Sequence, residues 1–295
     1  MSMIDYDYLK PASLDEVFYL MKKYGSRAEL VAGGTDVMVF IKHSHHSPEV
    51  LISLRGLTDL CYIQKNHGYH IGALATHRML EQSELVNKEL TALYQGASQV
   101  GSVQVRNVGT VGGNICNAAP SADTAGPLLV LDAKVVLQSP DEQRRVPIEE
   151  FFIGPSETVK KDDEVLVEIE IPAKMGQFRT AYCKHARRQA MNLPIIGVSV
   201  GILLDGNVIE DARIALTVAA PTPIRVRQAE DFLKDKPFEK GVLQEAGEIA
   251  SSPECCMPRD SMRCEGWYRE EMVRVLIPRV ARDAVENQNA NEFEG

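Results

Sequence analysis

Two glycine-bearing passages hold the residue types that could do chemistry: Ala32-Gly33-Gly34-Thr35-Asp36 and Gly109-Thr110-Val111-Gly112-Gly113-Asn114. Paired glycines accept positive φ and let a ligand approach the main chain closely. Successive amides in such turns form a concavity that favours an anion, and a neighbouring Thr hydroxyl adds a donor. Two turns of this design can face each other across a diphosphate. Neither carries Gly-x-Gly-x-x-Gly or the Gly-Lys-Ser/Thr of a phosphate loop, which disfavours those two nucleotide folds. On the residues alone, each pair is also compatible with a plain tight turn.

The other reactive residues are dispersed. Cys61, Cys116, Cys183, Cys255, Cys256 and Cys264 include no Cys-x-x-Cys, and the last three lack zinc or cluster spacing. They read as reduced thiols. His43, His45 and His46 stand among polar residues and read as a solvated loop rather than a metal group. No intrinsic metal site is expected.

The elements that must position the two turns follow from periodicity. Leu14, Val17, Phe18 and Met21 fall at helical spacing, and Ser13 with Glu16 makes a capping box, so a helix is expected over 14–24, stopping at Gly25. Leu30-Val31-Ala32 reads as a strand broken by the first glycine pair. Residues 50–53 and 70–73 read as strands, and 84–100 as one amphipathic helix through Leu85, Leu90, Leu93 and Ala97. Residues 134–139 and 164–171 alternate and are rich in β-branched types, which predicts two more strands. A linker is expected over 173–177. Beyond it, 198–204 and 208–218 flank Asp205-Gly206, a strong hairpin signal. Three helices are expected at about 227–234, 241–251 and 267–286, with a frayed acidic, Asn-rich end over 286–295. This order predicts an α+β protein: a domain over 1–172 in two parts divided near 55–60, a second over 177–288, and a tail over 289–295.

The chain resembles the FAD-binding subunits of molybdenum hydroxylases, a family that includes the flavin subunits of xanthine, nicotinate and carbon monoxide dehydrogenases. Four segments carry the resemblance: Leu30-Val31-Ala32-Gly33-Gly34-Thr35-Asp36; Gln104-Val105-Arg106-Asn107-Val108-Gly109-Thr110-Val111-Gly112-Gly113-Asn114-Ile115; Ser121-Ala122-Asp123; and Ala219-Ala220-Pro221-Thr222-Pro223-Ile224-Arg225. It implies a two-part FAD-binding lobe of the vanillyl-alcohol-oxidase-like type, followed by a small antiparallel sheet with three helices. It implies that Glu29, Leu30, Val31, Ala32, Gly33, Gly34, Thr35 and Asp36 form a first FAD loop that holds the pyrophosphate. Thr110, Val111, Gly112, Gly113 and Asn114 would form the second. Asp123 matches an acidic flavin contact, Leu166 and Lys184 match later contacts, and Val100 matches another. Leu193 lies near the position that packs on the isoalloxazine. By residue type alone, Asp123 reads equally as a helix cap before Thr124, and Lys184 as a surface lysine beside Arg187 and Arg188. Thr35-Asp36 stands where some flavoproteins of the wider fold carry an attaching His, so non-covalent FAD is expected. The extra cysteine-ligated cluster of some benzoyl-coenzyme-A-reducing relatives is not expected.

The implied activity is electron transfer within an oxidoreductase complex. A molybdopterin subunit would hydroxylate a heteroaromatic substrate such as xanthine or nicotinate. Electrons would pass through two-iron iron–sulfur clusters on another subunit to FAD here, and on to NAD or NADP. That last step obliges no side-chain acid or base, so no catalytic residue is expected in this chain. A hetero-oligomer is implied, with a dimer of heteromers as one arrangement. The alternatives are a stand-alone FAD-dependent oxidoreductase acting on a small molecule, and a scaffold without cofactor. Lys plus Arg number 32 against 41 Asp plus Glu, a net charge of −9, which argues against nucleic acid and anionic membrane as partners. The longest nearly apolar stretch, 193–204, contains Pro194 and falls short of the ~20 residues that span a bilayer. Residues 1–7 show no basic region followed by an apolar run, so a cytoplasmic protein is expected.

Overall fold

The computed structural model describes residues 6–43 and 47–292, with side chains through residue 286. The first unit is β1 (Asp7–Leu9), α1 (Leu14–Tyr24), β2 (Ala28–Val31), α2 (Val37–Lys42) and β3 (Val50–Ser53), with a parallel sheet ordered β1-β3-β2. Ser13 Oγ accepts the Glu16 amide at 3.3 Å, while the Glu16 carboxylate accepts the Ala12 amide at 2.7 Å. The capping box therefore closes one residue upstream of its usual partner. Val17 and Phe18 are buried on the face of α1 that meets β3.

The second unit runs through β4 (Ile63–Lys65), β5 (Gly68–Gly72), α3 (His77–Gln82), α4 (Glu84–Glu89), α5 (Thr91–Ser98), α6 (Val103–Val108), α7 (Val111–Asn117), α8 (Ala125–Val130), β6 (Lys134–Gln138), β7 (Gln143–Pro147), α9 (Ile148–Phe151), β8 (Phe152–Gly154), β9 (Glu157–Thr158) and β10 (Val165–Pro172). Its antiparallel sheet has the order β4-β5-β10-β6-β7, so the last strand closes between β5 and β6. The main apolar core, including Tyr69, Ile71, Leu93, Ile115 and Leu128, lies between this sheet and the helices.

The third unit is β11 (Arg179–His185), β12 (Ile196–Asp205), β13 (Val208–Thr217), β14 (Ile224–Arg225), α10 (Arg227–Leu233), α11 (Lys240–Ala250) and α12 (Gly266–Glu292). Its four strands pair in order, and the three helices share a second core with them. The hairpin forms where expected: Asp205 pairs with Val208, and Gly206 takes φ +59°.

Four expectations change. The helix read over 84–100 is two helices, broken at Leu90 with φ −132° and ψ 47°. The passage around Gly112-Gly113 is the first turn of α7, capped by Thr110. The linker is a 3₁₀ turn, Ala173–Gln177, that buries Met175. The backbone of α12 runs on to Glu292 through residues expected to fray. Residues 293–295, and His45 and His46 of the histidine group, lie outside the described residues.

Candidate functional site

The chain turns at Gly33-Gly34 directly after β2, and Gly34 has φ +75°, a region that L side chains rarely adopt. The two glycine passages are in contact. A Cβ on Gly33 would stand 2.2 Å from the Val108 carbonyl oxygen and 2.8 Å from Gly109 Cα. One on Gly109 would lie 3.6 Å from Thr35 Oγ1. Arg55 donates to the carbonyls of Ala32 and Gly33, both at 3.1 Å. In a trans peptide the N–H points opposite to the C=O, so this clamp turns the Gly33 and Gly34 amides the other way. Among the described residues, the amides of Gly33, Gly34, Thr35 and Asp36 donate no backbone hydrogen bond. Burial pushes the Asp36 carboxyl up, opposed by a hydrogen bond from Thr35. Unspent amides in such a turn can hold an anion.

The second passage differs in its amides. Val111 and Gly112 donate their amides to Ala75 and Ala73 carbonyls, each at 3.0 Å. The Gly113 amide goes to Thr110 Oγ1 at 3.1 Å, and the Asn114 amide to the Thr110 carbonyl at 3.0 Å. In the expected second FAD loop of Thr110, Val111, Gly112, Gly113 and Asn114, these four amides are used within the fold, which leaves the Thr110 hydroxyl and the Asn114 side-chain amide as the donors it can offer a ligand. Gly112 is bare because Ala73 fills its space; a Cβ there would stand 2.6 Å from the Ala73 carbonyl oxygen. The passage also contributes the wall on which the first turn rests.

Below that wall lies His77, which sequence reasoning missed. It is 2% exposed, its Nδ1 has no partner, and its amide donates to the Gly109 carbonyl at 3.0 Å. Burial, and then the Arg106 charge, lower its pKa to about 4. Arg106 forks onto Glu81 and also donates to the Val100 carbonyl at 3.2 Å, which fixes Val100 in the adjoining loop.

A second cluster forms where the third unit meets the helices. Lys184 Nζ stands 2.6 Å from Asp123 Oδ2 and 3.0 Å from the Gln99 carbonyl. Tyr182 donates its hydroxyl to Asp123 Oδ1 at 2.7 Å. Both members of the ion pair have side chains only 7% exposed, so Lys184 is no surface lysine; the cap position of α8 is Thr124, and Asp123 gives its oxygens to Lys184 and Tyr182 instead. Burial pushes the Asp123 carboxyl up, while Lys184 and Tyr182 oppose the shift. Tyr182 was not singled out from the sequence, although it shares a strand face with Lys184 two residues on. Thr124 donates to Asn114 Oδ1 at 2.6 Å, which ties this cluster to the glycine wall.

The remaining expected contacts disperse. Glu29, Leu30 and Val31 are β2 residues paired with β3, and Val31 is buried among Ile41 and Leu51. Leu166 is 4% exposed within the main core, on the strand that α7 packs against. Leu193 is 47% exposed in the loop between β11 and β12. Elsewhere, His70, Glu168 and Glu170 gather on the sheet, where His70 and Glu168 pair at 3.2 Å and Arg145 forks onto Glu170. No helix among the described residues is long and apolar enough to cross a membrane.

Comparison with known proteins fits this geometry. Residues 4–174 match the family described as "FAD binding domain in molybdopterin dehydrogenase", and residues 181–284 match the "CO dehydrogenase flavoprotein C-terminal domain". The xanthine dehydrogenase FAD-binding subunit of Escherichia coli O157:H7 is 33% identical over 96% of this chain and 97% of its own length. The nicotinate dehydrogenase FAD-subunit of Eubacterium barkeri is 29% identical over 96% and 97%. Among solved structures, a chain of carbon monoxide dehydrogenase from Hydrogenophaga pseudoflava superposes with a TM-score of 0.91 at 31% identity, covering 97% of this chain and 99% of that one. With both halves of the chain matched and the fold shared from end to end, this protein belongs to the FAD-binding subunits of the molybdenum hydroxylases, and is by class an oxidoreductase component.

Proposed function

We propose that the chain holds one non-covalent FAD, its pyrophosphate on the amides of Gly33, Gly34, Thr35 and Asp36 and its ring beside Lys184. It works as the electron-carrying subunit of a complex. An iron–sulfur subunit with two-iron clusters delivers the electrons, and a molybdopterin subunit hydroxylates a heteroaromatic substrate such as xanthine or nicotinate. NAD or NADP takes the electrons at the end. The observation that carries this reading is the unspent amide cradle pressed against the Val108–Gly109 wall.

FAD, when bound, accepts electrons singly and releases them as a pair. The chain supplies position and charge. The first-turn amides hold a diphosphate, and Arg55 keeps them aimed. The Lys184 ammonium balances negative charge that develops on a ring beside it. Asp123, Tyr182 and the Gln99 carbonyl hold that ammonium in place. No side chain of the cradle is asked to act as acid or base.

The test is anaerobic. The FAD-loaded chain alone, and the chain co-expressed with its partner subunits, are each given xanthine or nicotinate while the flavin's visible absorbance is followed. The complex should bleach and then recover colour when NAD or NADP is added. The chain alone should keep its colour. Bleaching of the isolated chain would favour the stand-alone oxidoreductase instead.

A further inference from the structure

We propose that the open pocket around Trp267 is the docking site of the electron acceptor. In it, an adenine dinucleotide lays its base on the indole and its phosphates between Arg187 and Arg263. This rests on the reading that a nicotinamide dinucleotide takes the electrons, and adds the place where it binds.

The pocket lies between the loop joining β11 to β12 and the segment that leads into α12. It measures about 450 Å³ and is lined by Arg187, Arg263, Glu265, Trp267 and Tyr268, among others. A second cavity of about 280 Å³ is lined by Gln99, Lys184, Arg187 and Arg188. Arg187 lines both, so the two adjoin. They run from the buried ammonium assigned to the flavin ring out to the indole. Their sizes together suit a ligand larger than a single ring system, within the range of about 300–1,000 Å³ that ligand sites occupy.

The lining chemistry is specific. The chain carries a net charge of −9, yet Arg187, Arg188 and Arg263 gather here against one lining carboxylate, Glu265, beside Lys184, whose own charge is paired with Asp123. Arg187 donates one N–H to the Arg263 backbone carbonyl, which braces its planar fork and leaves further donors for a phosphate. Trp267 is 62% exposed. Its Nε1 is tied to Glu265 at 2.5 Å and its ring meets Tyr268 edge to face at 5.8 Å. Tyr268 is itself held by His185 at 3.0 Å. A braced indole left exposed among arginines is a platform for a flat, anionic ligand, because a nucleobase stacks on its face while the fork takes the phosphates.

Trp267 is the only tryptophan in the chain, so its fluorescence reports on this pocket alone. The FAD-loaded full chain is titrated with ADP-ribose, which carries the base and the diphosphate but no nicotinamide. Saturable quenching is expected. Arg263→Ala should weaken it about tenfold, the loss of one charge-assisted contact, with Arg263→Lys in between. Glu265→Gln should tighten it by removing the carboxylate that faces the phosphates. Flavin content and circular dichroism establish that each variant is folded. Two results would overturn the proposal: no quenching at millimolar ADP-ribose, or quenching that Arg263→Ala leaves unchanged. Equal quenching by inorganic pyrophosphate would also overturn it, since the base would then play no part. Reoxidation of chemically reduced, FAD-loaded chain by NAD or NADP is followed in parallel. If that reaction proceeds while Trp267 is silent, the pocket is wrong and the acceptor reading stands. If neither occurs, both fall.

Discussion

His77 has been buried at the cost of its charge. It lies 2% exposed under Gly109 with Nδ1 unpartnered, and its pKa sits at about 4 against an ordinary 6.5. The sign follows directly: between pH 6.5 and 4 the unfolded chain takes a proton that the folded chain refuses. This contribution to stability is whole above pH 6.5 and falls as the pH drops, by about 3 kcal/mol at pH 4. His77→Leu should remove that dependence. Denaturant unfolding at pH 7 and pH 4.5 should show a loss smaller in the variant by about 2–3 kcal/mol, and parallel losses would refute it. The glycines divide in the same residue-by-residue way. Gly33→Ala places a methyl 2.2 Å from the Val108 oxygen and must open the cradle, so flavin content should collapse. Gly112→Ala presses on Ala73, and its amide bond to the Ala73 carbonyl goes with it. That change should lower stability by about 1–3 kcal/mol, while the molecules that remain folded keep their flavin. Thermal unfolding and the flavin-to-protein absorbance ratio separate the two, and the reverse pattern would return the diphosphate grip to the second passage.

At the scale of elements, α12 continues through Pro278, which cannot donate to the Arg274 carbonyl one turn back. Gly247 of α11 lies against that place: a Cβ there would stand 2.5 Å from the Arg274 oxygen and 3.2 Å from Pro278 Cδ. Alanine is the better helix former by about 1 kcal/mol, but a contact this short with a backbone oxygen overrides propensity. Gly247→Ala should therefore destabilise, by about 1–3 kcal/mol, while Gly241→Ala on the same helix meets nothing within 4 Å and should stabilise by up to about 1 kcal/mol. Like signs in the two variants would refute the close crossing. Elements whose signals are local were legible: the helix over 14–24 with its cap, the Asp205-Gly206 hairpin, and the run through Pro278. The break at Leu90 was not. Val86, Leu90, Leu93 and Ala97 keep helical spacing across it because α4 and α5 both turn their apolar faces into one core, and no Gly or Pro marks the bend.

At the scale of the molecule, what the sequence concealed was pairing over distance. The placing of β10 between β5 and β6 joins strands about 100 residues apart, and no local pattern encodes it. The same holds within the site. The two turns were visible, but whether their amides are free depends on Ala73, Ala75 and Arg55, which lie elsewhere in the chain. The Ala219–Arg225 segment, recognisable without an evident reason, acquires one. Arg225 is buried between the lobes: its guanidinium forks onto Glu230 at 2.6 and 2.8 Å, and reaches Asp132 at 2.8 Å and the Leu129 carbonyl at 3.2 Å in the first lobe. Glu230 is 5% exposed, so without Arg225 its buried charge keeps only the Ile214 amide at 2.8 Å and the more distant Arg227 at 3.5 Å. Arg225→Met should cost about 3–5 kcal/mol. FAD release should also quicken, because Lys184 of the second lobe is held by Asp123 and Gln99 of the first. Adding Glu230→Leu removes the stranded charge and should restore part of the stability, since an apolar pair can replace a buried ionic one at little cost. The fast flavin release should persist in the double variant, because the reach to Asp132 and Leu129 is still missing. Stopped-flow release and denaturant unfolding measure the two effects, and a double variant as unstable as the single one would mean that the uncompensated Glu230 charge is not what destabilises Arg225→Met.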